Sequence, residues 1–230
     1  AKVIGFPTKP QEEAQIWNIE AAVRFDPGPA AVKATLRIPS LTPGYSLLDE
    51  NFISRGFGVT TTIAPAGREV QWSVRQASGT QTMYSRAVVY RDESRIAEDT
   101  TPPFPTPPEL DEPSRVALEA LLAEVRRQSA DVASFTVQLL RRINQGEQDP
   151  YVRVFLKRGH TAADRAQLAT IFLAGAQVPA RVAHGVFLRS TPGPVQPESI
   201  LEVHDGVQWL YFNPETLQQG LPKDFFIWWR

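Results

Sequence analysis

Along residues 16–91 the apolar positions recur every second residue. Trp17, Ile19, Ala21, Val23 and Phe25 fall on one side of Ile16–Phe25, with Asn18, Glu20 and Arg24 among those on the other. That alternation predicts a half-buried strand. Asp26-Pro27-Gly28-Pro29 predicts a turn. Val32, Ala34, Leu36 and Ile38 alternate with Lys33, Thr35 and Arg37 in a second strand, and Pro43-Gly44 turns the chain again. Further strands are predicted near Tyr45–Ile53, Phe57–Ala64, Glu69–Gln76 and Thr80–Arg91, the last three separated by Pro65-Ala66-Gly67 and Ser78-Gly79. Short strands with a turn signal about every ten residues predict a β-sandwich-like domain over residues 1–92. Nothing in it carries a catalytic pattern.

Residues 93–113 form a linker. Pro102, Pro103, Pro105, Pro107, Pro108 and Pro113 make it extended and stiff, as at a domain boundary. Beyond it the period changes to that of helices. Ser114 is placed to cap a helix carrying Val116, Leu118, Leu121, Leu122 and Val125. Ala130–Ile143 predicts a second helix with Phe135, Leu139, Leu140 and Ile143 on its apolar side. Asn144–Pro150 is expected to be a loop, and Tyr151–Leu156 is an apolar segment without an evident period.

The most informative stretch is Gly159–Arg189. Thr161 is a candidate N-cap, with Asp164 three residues on. Ala166, Leu168, Ala169, Ile171, Phe172 and Leu173 form a strongly apolar helix, with Gly175 as its expected stop. Val178-Pro179 restarts the chain in extended form, and Arg181–Phe187 reads as a buried strand. Ser190–Pro197 is a polar loop. Ser199–His204 and Val207–Phe212 then predict a hairpin turned by Asp205-Gly206.

Composition narrows the function. The 230 residues are 42% hydrophobic and 21% charged, within the range of globular domains, and the net charge of −1 gives no reason to expect nucleic acid as a partner. There are no cysteines, which excludes disulfides, thiolate metal sites and a thiol nucleophile together. The single methionine is Met83, so residue 1 is not expected to be a translation start, and no apolar run of about 18 residues is present to span a bilayer. The three histidines, His160, His184 and His204, lack the paired spacings of metal sites. No metal and no cofactor are expected.

The helix, the turn, Val178-Pro179-Ala180-Arg181-Val182 and the strand after them resemble the core of the transglutaminase-like superfamily. The resemblance covers about residues 114–220. It implies a transglutaminase-like (papain-like) α+β domain over residues 114–230, and so an α+β fold overall. In that family a cysteine starts the helix, a histidine begins the first hairpin strand and an aspartate ends the second. Here those positions fall on Ala162, on Glu198 (matching Glu202-Val203 to the family's Glu-Val) and on Asn213 (matching Asn213-Pro214 to its Asp-Pro). No reactive triad remains, so an enzyme is not expected. The resemblance implies a vestigial cleft lined by His160, Ala162, Glu198, Trp209 and Asn213 that binds a peptide or a partner protein.

One branch resembles the chain more closely: inactive transglutaminase domains fused to seven transmembrane helices in bacterial inner-membrane proteins. It implies a periplasmic scaffold or sensor domain, attached to the membrane through flanking segments, with a retropepsin-like protease as the expected partner. Phe225-Phe226-Ile227-Trp228-Trp229 fits either an interfacial aromatic belt or a last buried strand. An amide hydrolase or acyl transferase using Glu198, and a purely structural spacer, are the competing readings.

Overall fold

The computed structural model describes residues 15–26, 28, 30–40, 42–64, 67–77, 79–95, 101–156 and 162–230. His160, the Thr161 cap and the tips of several expected turns, including Pro65-Ala66, lie outside them. The architecture is mixed α and β with antiparallel sheets. The chain divides into two compact units. One draws on Ala1–Leu36, Pro43–Thr62 and Glu69–Ile96, the other on Arg37–Thr42, Ile63–Arg68 and Ala97–Arg230.

Six strands make up the β-rich part: β1 (Ile16–Phe25), β2 (Val32–Ile38), β3 (Tyr45–Ile53), β4 (Gly58–Ala64), β5 (Gly67–Val74) and β6 (Gln81–Arg91). They form two three-stranded sheets, ordered β1-β6-β3 and β2-β5-β4. Strand β6 is central in the first, and its Met83, Ser85, Ala87 and Val89 are buried in alternation. Trp72 of β5 is fully buried and meets Phe52 of β3 edge-on, with ring centroids 6.4 Å apart. Such an aromatic pair closes one sheet over the other.

The helical part opens with α1 (Glu112–Arg127). Its cap is Asp111, whose carboxylate accepts from the Ser114 amide at 3.0 Å, so the expected Ser114 cap is corrected by three residues. Pro113 sits in the first turn, where a missing amide N–H costs nothing. Helix α2 (Val132–Gln145) starts after Asp131, which shares a reciprocal cap with Ser134. It runs two residues past Ile143, and Gly146–Gln148 is a 3-10 turn where a loop was expected. Asp149 then accepts from the Tyr151 and Val152 amides, both at 2.9 Å, and nucleates a second 3-10 turn at Val152–Phe155.

Helix α3 (Ala162–Gly175) is followed by β7 (Ala180–Phe187), β8 (Glu198–His204), β9 (Trp209–Phe212) and β10 (Phe225–Trp229). These strands form one sheet in the order β10-β7-β8-β9. Leu121, Leu139, Phe172, Leu173, Leu201, Val203 and Phe212 belong to the continuous core between the helices and one face of this sheet.

Gly175 does not end α3 by adopting a left-handed conformation. That role falls to Gln177, at φ 60°, while the Val178 amide reaches back to the Leu173 carbonyl at 2.9 Å. Gly175 instead allows close packing, since a Cβ there would lie 2.8 Å from Leu118 Cδ2. The turn between β8 and β9 is also longer than Asp205-Gly206. His204 pairs with Trp209, and the Asp205 carboxylate accepts from the Val207 and Gln208 amides, so four residues form the loop. The C-terminal aromatic run is strand β10, with Phe225, Phe226 and Ile227 buried.

Candidate functional site

Helix α3 begins at Ala162, beside a small cavity of about 60 Å³ whose lining includes Asn144, Asp164, Arg165 and Leu168. The turn after β9 closes on the same region. Asn144 Nδ2 donates to the Pro214 and Glu215 carbonyls, both at 3.1 Å, and Arg165 stands 4.0 Å from Glu215. Asn213 therefore lies at the α3 end of the sheet. Its Oδ1 accepts from the Glu215 and Thr216 amides at 2.9 and 3.0 Å, so it acts as a turn cap.

Strand register brings the start of β8 to that end as well, because Glu198 pairs with Gly185 near the end of β7. Alternation along β8 then separates its side chains. Leu201 and Val203 join the core that includes α3, whereas Ile200 packs with Ala183, Phe225 and Ile227 on the other face. Glu198 shares the face of Ile200 and is exposed. On the α3 face at this end stands Ser199, whose Oγ is 2.9 Å from His184 Nδ1.

His184 also stacks on Trp229, with centroids 4.2 Å apart, and the Arg37 guanidinium lies 4.4 Å from the Trp229 ring centre. Burial, and then the nearby Arg37 charge, hold the His184 imidazole below its ordinary value. Neither Ser199 nor Arg37 was singled out by sequence reasoning. Their meeting depends on strands far apart in the chain, and no local pattern announces it.

Trp209 is not with these residues. It starts β9, at the end of the sheet away from Asn213, and is buried beneath Arg181, whose guanidinium is 4.0 Å from its ring centre. Arg181 and Arg230 converge there on Glu202, which is fully buried. The start of α3, the start of β8 and the end of β9 thus lie at one end of the sheet, and Trp209 lies at the other. Of the three matched positions, 162 is an alanine, Glu198 is exposed on the face away from α3, and the Asn213 amide is committed to a turn. None of these supplies a nucleophile with an adjacent base.

A family model described as inactive transglutaminase fused to seven transmembrane helices matches residues 1–159. The chain belongs to this family. Members of the inactive transglutaminase family are thus membrane proteins; among the described residues no helix is long and apolar enough to cross a membrane. The match ends before α3, so it does not include positions 162, 198 and 213. The crystal structure of a "Putative Cysteine Protease from Cytophaga hutchinsonii" is similar over 94% of this chain and 80% of that one, with a TM-score of 0.58 and 15% identity. At that identity the likeness concerns the fold. No curated protein matches the chain.

Proposed function

We propose that this chain is a non-catalytic recognition domain, the extracytoplasmic part of a bacterial inner-membrane protein, which uses the degenerate cleft region to hold a peptide or a partner protein. One observation carries the reading. Asn144 of α2 and Arg165 of α3 hold the β9–β10 connection against these two helices, keeping the frame of a site at which Ala162 and Asn213 stand in place of thiol and carboxylate. A scaffold retained without its reactive groups suits recognition. The family's membrane fusion supports a sensor or scaffold role, and a partner protease of the retropepsin-like class fits that role.

The test compares amide hydrolysis and acyl transfer by the unmodified chain with the Ala162→Cys, Glu198→His, Asn213→Asp variant. No turnover is expected from the unmodified chain. Turnover that disappears in Glu198→Gln would overturn the proposal. Titration with the protease and with short extended peptides then separates recognition from a purely structural role, which would give no binding.

A further inference from the structure

Strand β4 forms one edge of the sheet β2-β5-β4. Its sequence is Gly-Val-Thr-Thr-Thr-Ile-Ala, without a charge or a proline. Residues 58–63 are all exposed, Val59 at 41% and Ile63 at 88%. The other sheet edges are protected in the ways that discourage edge pairing. Strand β1 carries Glu20 and Arg24, β2 carries Lys33 and Arg37, and β3 carries Asp49 and Glu50 with a break in register between Leu47 and Asp49. Strands β9 and β10 are only four and five residues long.

The unprotected edge is also nearly palindromic about Thr61. Val59 and Ile63 are equidistant from it, as are Thr60 and Thr62. An antiparallel pair of two such strands about a two-fold axis would set Thr61 opposite its own copy, Val59 opposite Ile63 and Thr60 opposite Thr62. Val59, Thr61 and Ile63 share one face of the strand, so each apolar residue would meet an apolar partner and each threonine a threonine. Both kinds of pair are favourable across strands. Such a contact is isologous and closes as a dimer.

We infer that β4 is a self-association edge, through which two copies of this chain join their β2-β5-β4 sheets into one six-stranded sheet. A strand pair of this length buries less than the roughly 1,200 Å² of a stable complex. The dimer is therefore weak in free solution and strengthened when both copies are tethered in one membrane.

Because the chain has no cysteine, an introduced thiol is unique in each variant. Directly opposed residues have Cβ atoms about 5 Å apart, close to disulfide reach. The experiment measures disulfide-linked dimer under mild oxidation at high protein concentration. Thr61→Cys alone should cross-link at least tenfold faster than Thr60→Cys alone or Thr62→Cys alone. A mixture of the Thr60→Cys and Thr62→Cys proteins should cross-link between the two variants. In the Thr61→Cys background, adding Thr60→Lys with Thr62→Lys sets like charges opposite and should slow cross-linking at least tenfold, whereas Thr60→Lys with Thr62→Glu should restore it. Equal rates for the three single-cysteine variants, or no difference between the two charge pairs, would overturn the proposal. So would a monomer that cross-links through Thr61→Cys only to another protein.

Discussion

Arg181 Nε lies 2.6 Å from Glu202 Oε2 across the β7–β8 pair, and Glu202 has no solvent exposure. Arg230 completes the group from the C-terminus, donating at 2.8 and 3.0 Å. The Pro-Ala-Arg motif thus supplies one cation of a buried ion triad that joins β7, β8 and the last residue. Removing the anion leaves two guanidinium groups facing each other, partly shielded from water. Glu202→Ala should cost about 3 kcal/mol, read as a lowered urea midpoint with unchanged slope. Arg230→Ala should cost less, because Arg181 remains to pair Glu202.

Tyr211 reports on the same group. Burial, and then the Glu202 charge, push its hydroxyl up to about 12. Because the folded value is raised above the unfolded value of 10.0, the associated stability is present below pH 10 and lost as pH rises towards 12. Ultraviolet titration should assign the last tyrosine to ionise to Tyr211, disappearing in Tyr211→Phe. In Glu202→Gln that ionisation should move to lower pH.

Asp149 is one of the carboxylates that contribute to the acid limb of stability. Burial alone would raise its carboxyl, but the Arg142 ion pair and the amides of Val152 and Tyr151 outweigh it and hold it below its ordinary 3.8. A depressed carboxylate contributes stability above its unfolded value and loses it as pH falls through the folded one. Asp149→Asn should cost about 2 kcal/mol at neutral pH and flatten the loss of stability below pH 3.8. Denaturation midpoints from neutral to acid pH measure both effects.

Two glycines should respond unequally to alanine. At Gly185 a Cβ would lie 2.2 Å from the Phe226 carbonyl oxygen, which belongs to the paired strand β10 and cannot move alone. Gly185→Ala should cost about 3 kcal/mol and loosen β10. At Gly175 the nearest atom is the end of the Leu118 side chain, which can rotate, and alanine is the better helix former. Gly175→Ala should stay within about 1 kcal/mol of the unmodified chain by thermal unfolding.

Gln177 is strained where the family of helix ends favours glycine. Its φ of 60° puts Cβ against the following carbonyl. Gln177→Gly should therefore stabilise the chain by up to about 1 kcal/mol, whereas Gln177→Ala, equally strained, should not. Calorimetric melting of both variants distinguishes relief of backbone strain from loss of a glutamine contact.

Much of the element order was legible from periodicity. β1, β2 and β3 coincide with the predicted segments; in β1 and β2 alternation over seven or more residues specifies which face is wet. Helix starts were less legible. Ser114 and Asp111 are both good caps by type, and only the geometry of the chain entering α1 selects Asp111. At the site, the motif led to Ala162 and Asn213, which lie at one end of the sheet. It also grouped Trp209 with them, because sequence order within a hairpin does not reveal which end of a strand faces the cleft.

The absence of cysteine was decided by the sequence alone, and with it the loss of thiol chemistry at the start of α3. The run of short strands followed by helices was likewise set locally, by side chains partitioning between water and core. What the tertiary structure decided is pairing: Ser199 with His184, Arg230 with Glu202, and Glu198 turned to the face away from α3. Those contacts join positions separated by up to 28 residues. Their partners are chosen by strand register, and register is a property of the assembled sheet that no single segment encodes.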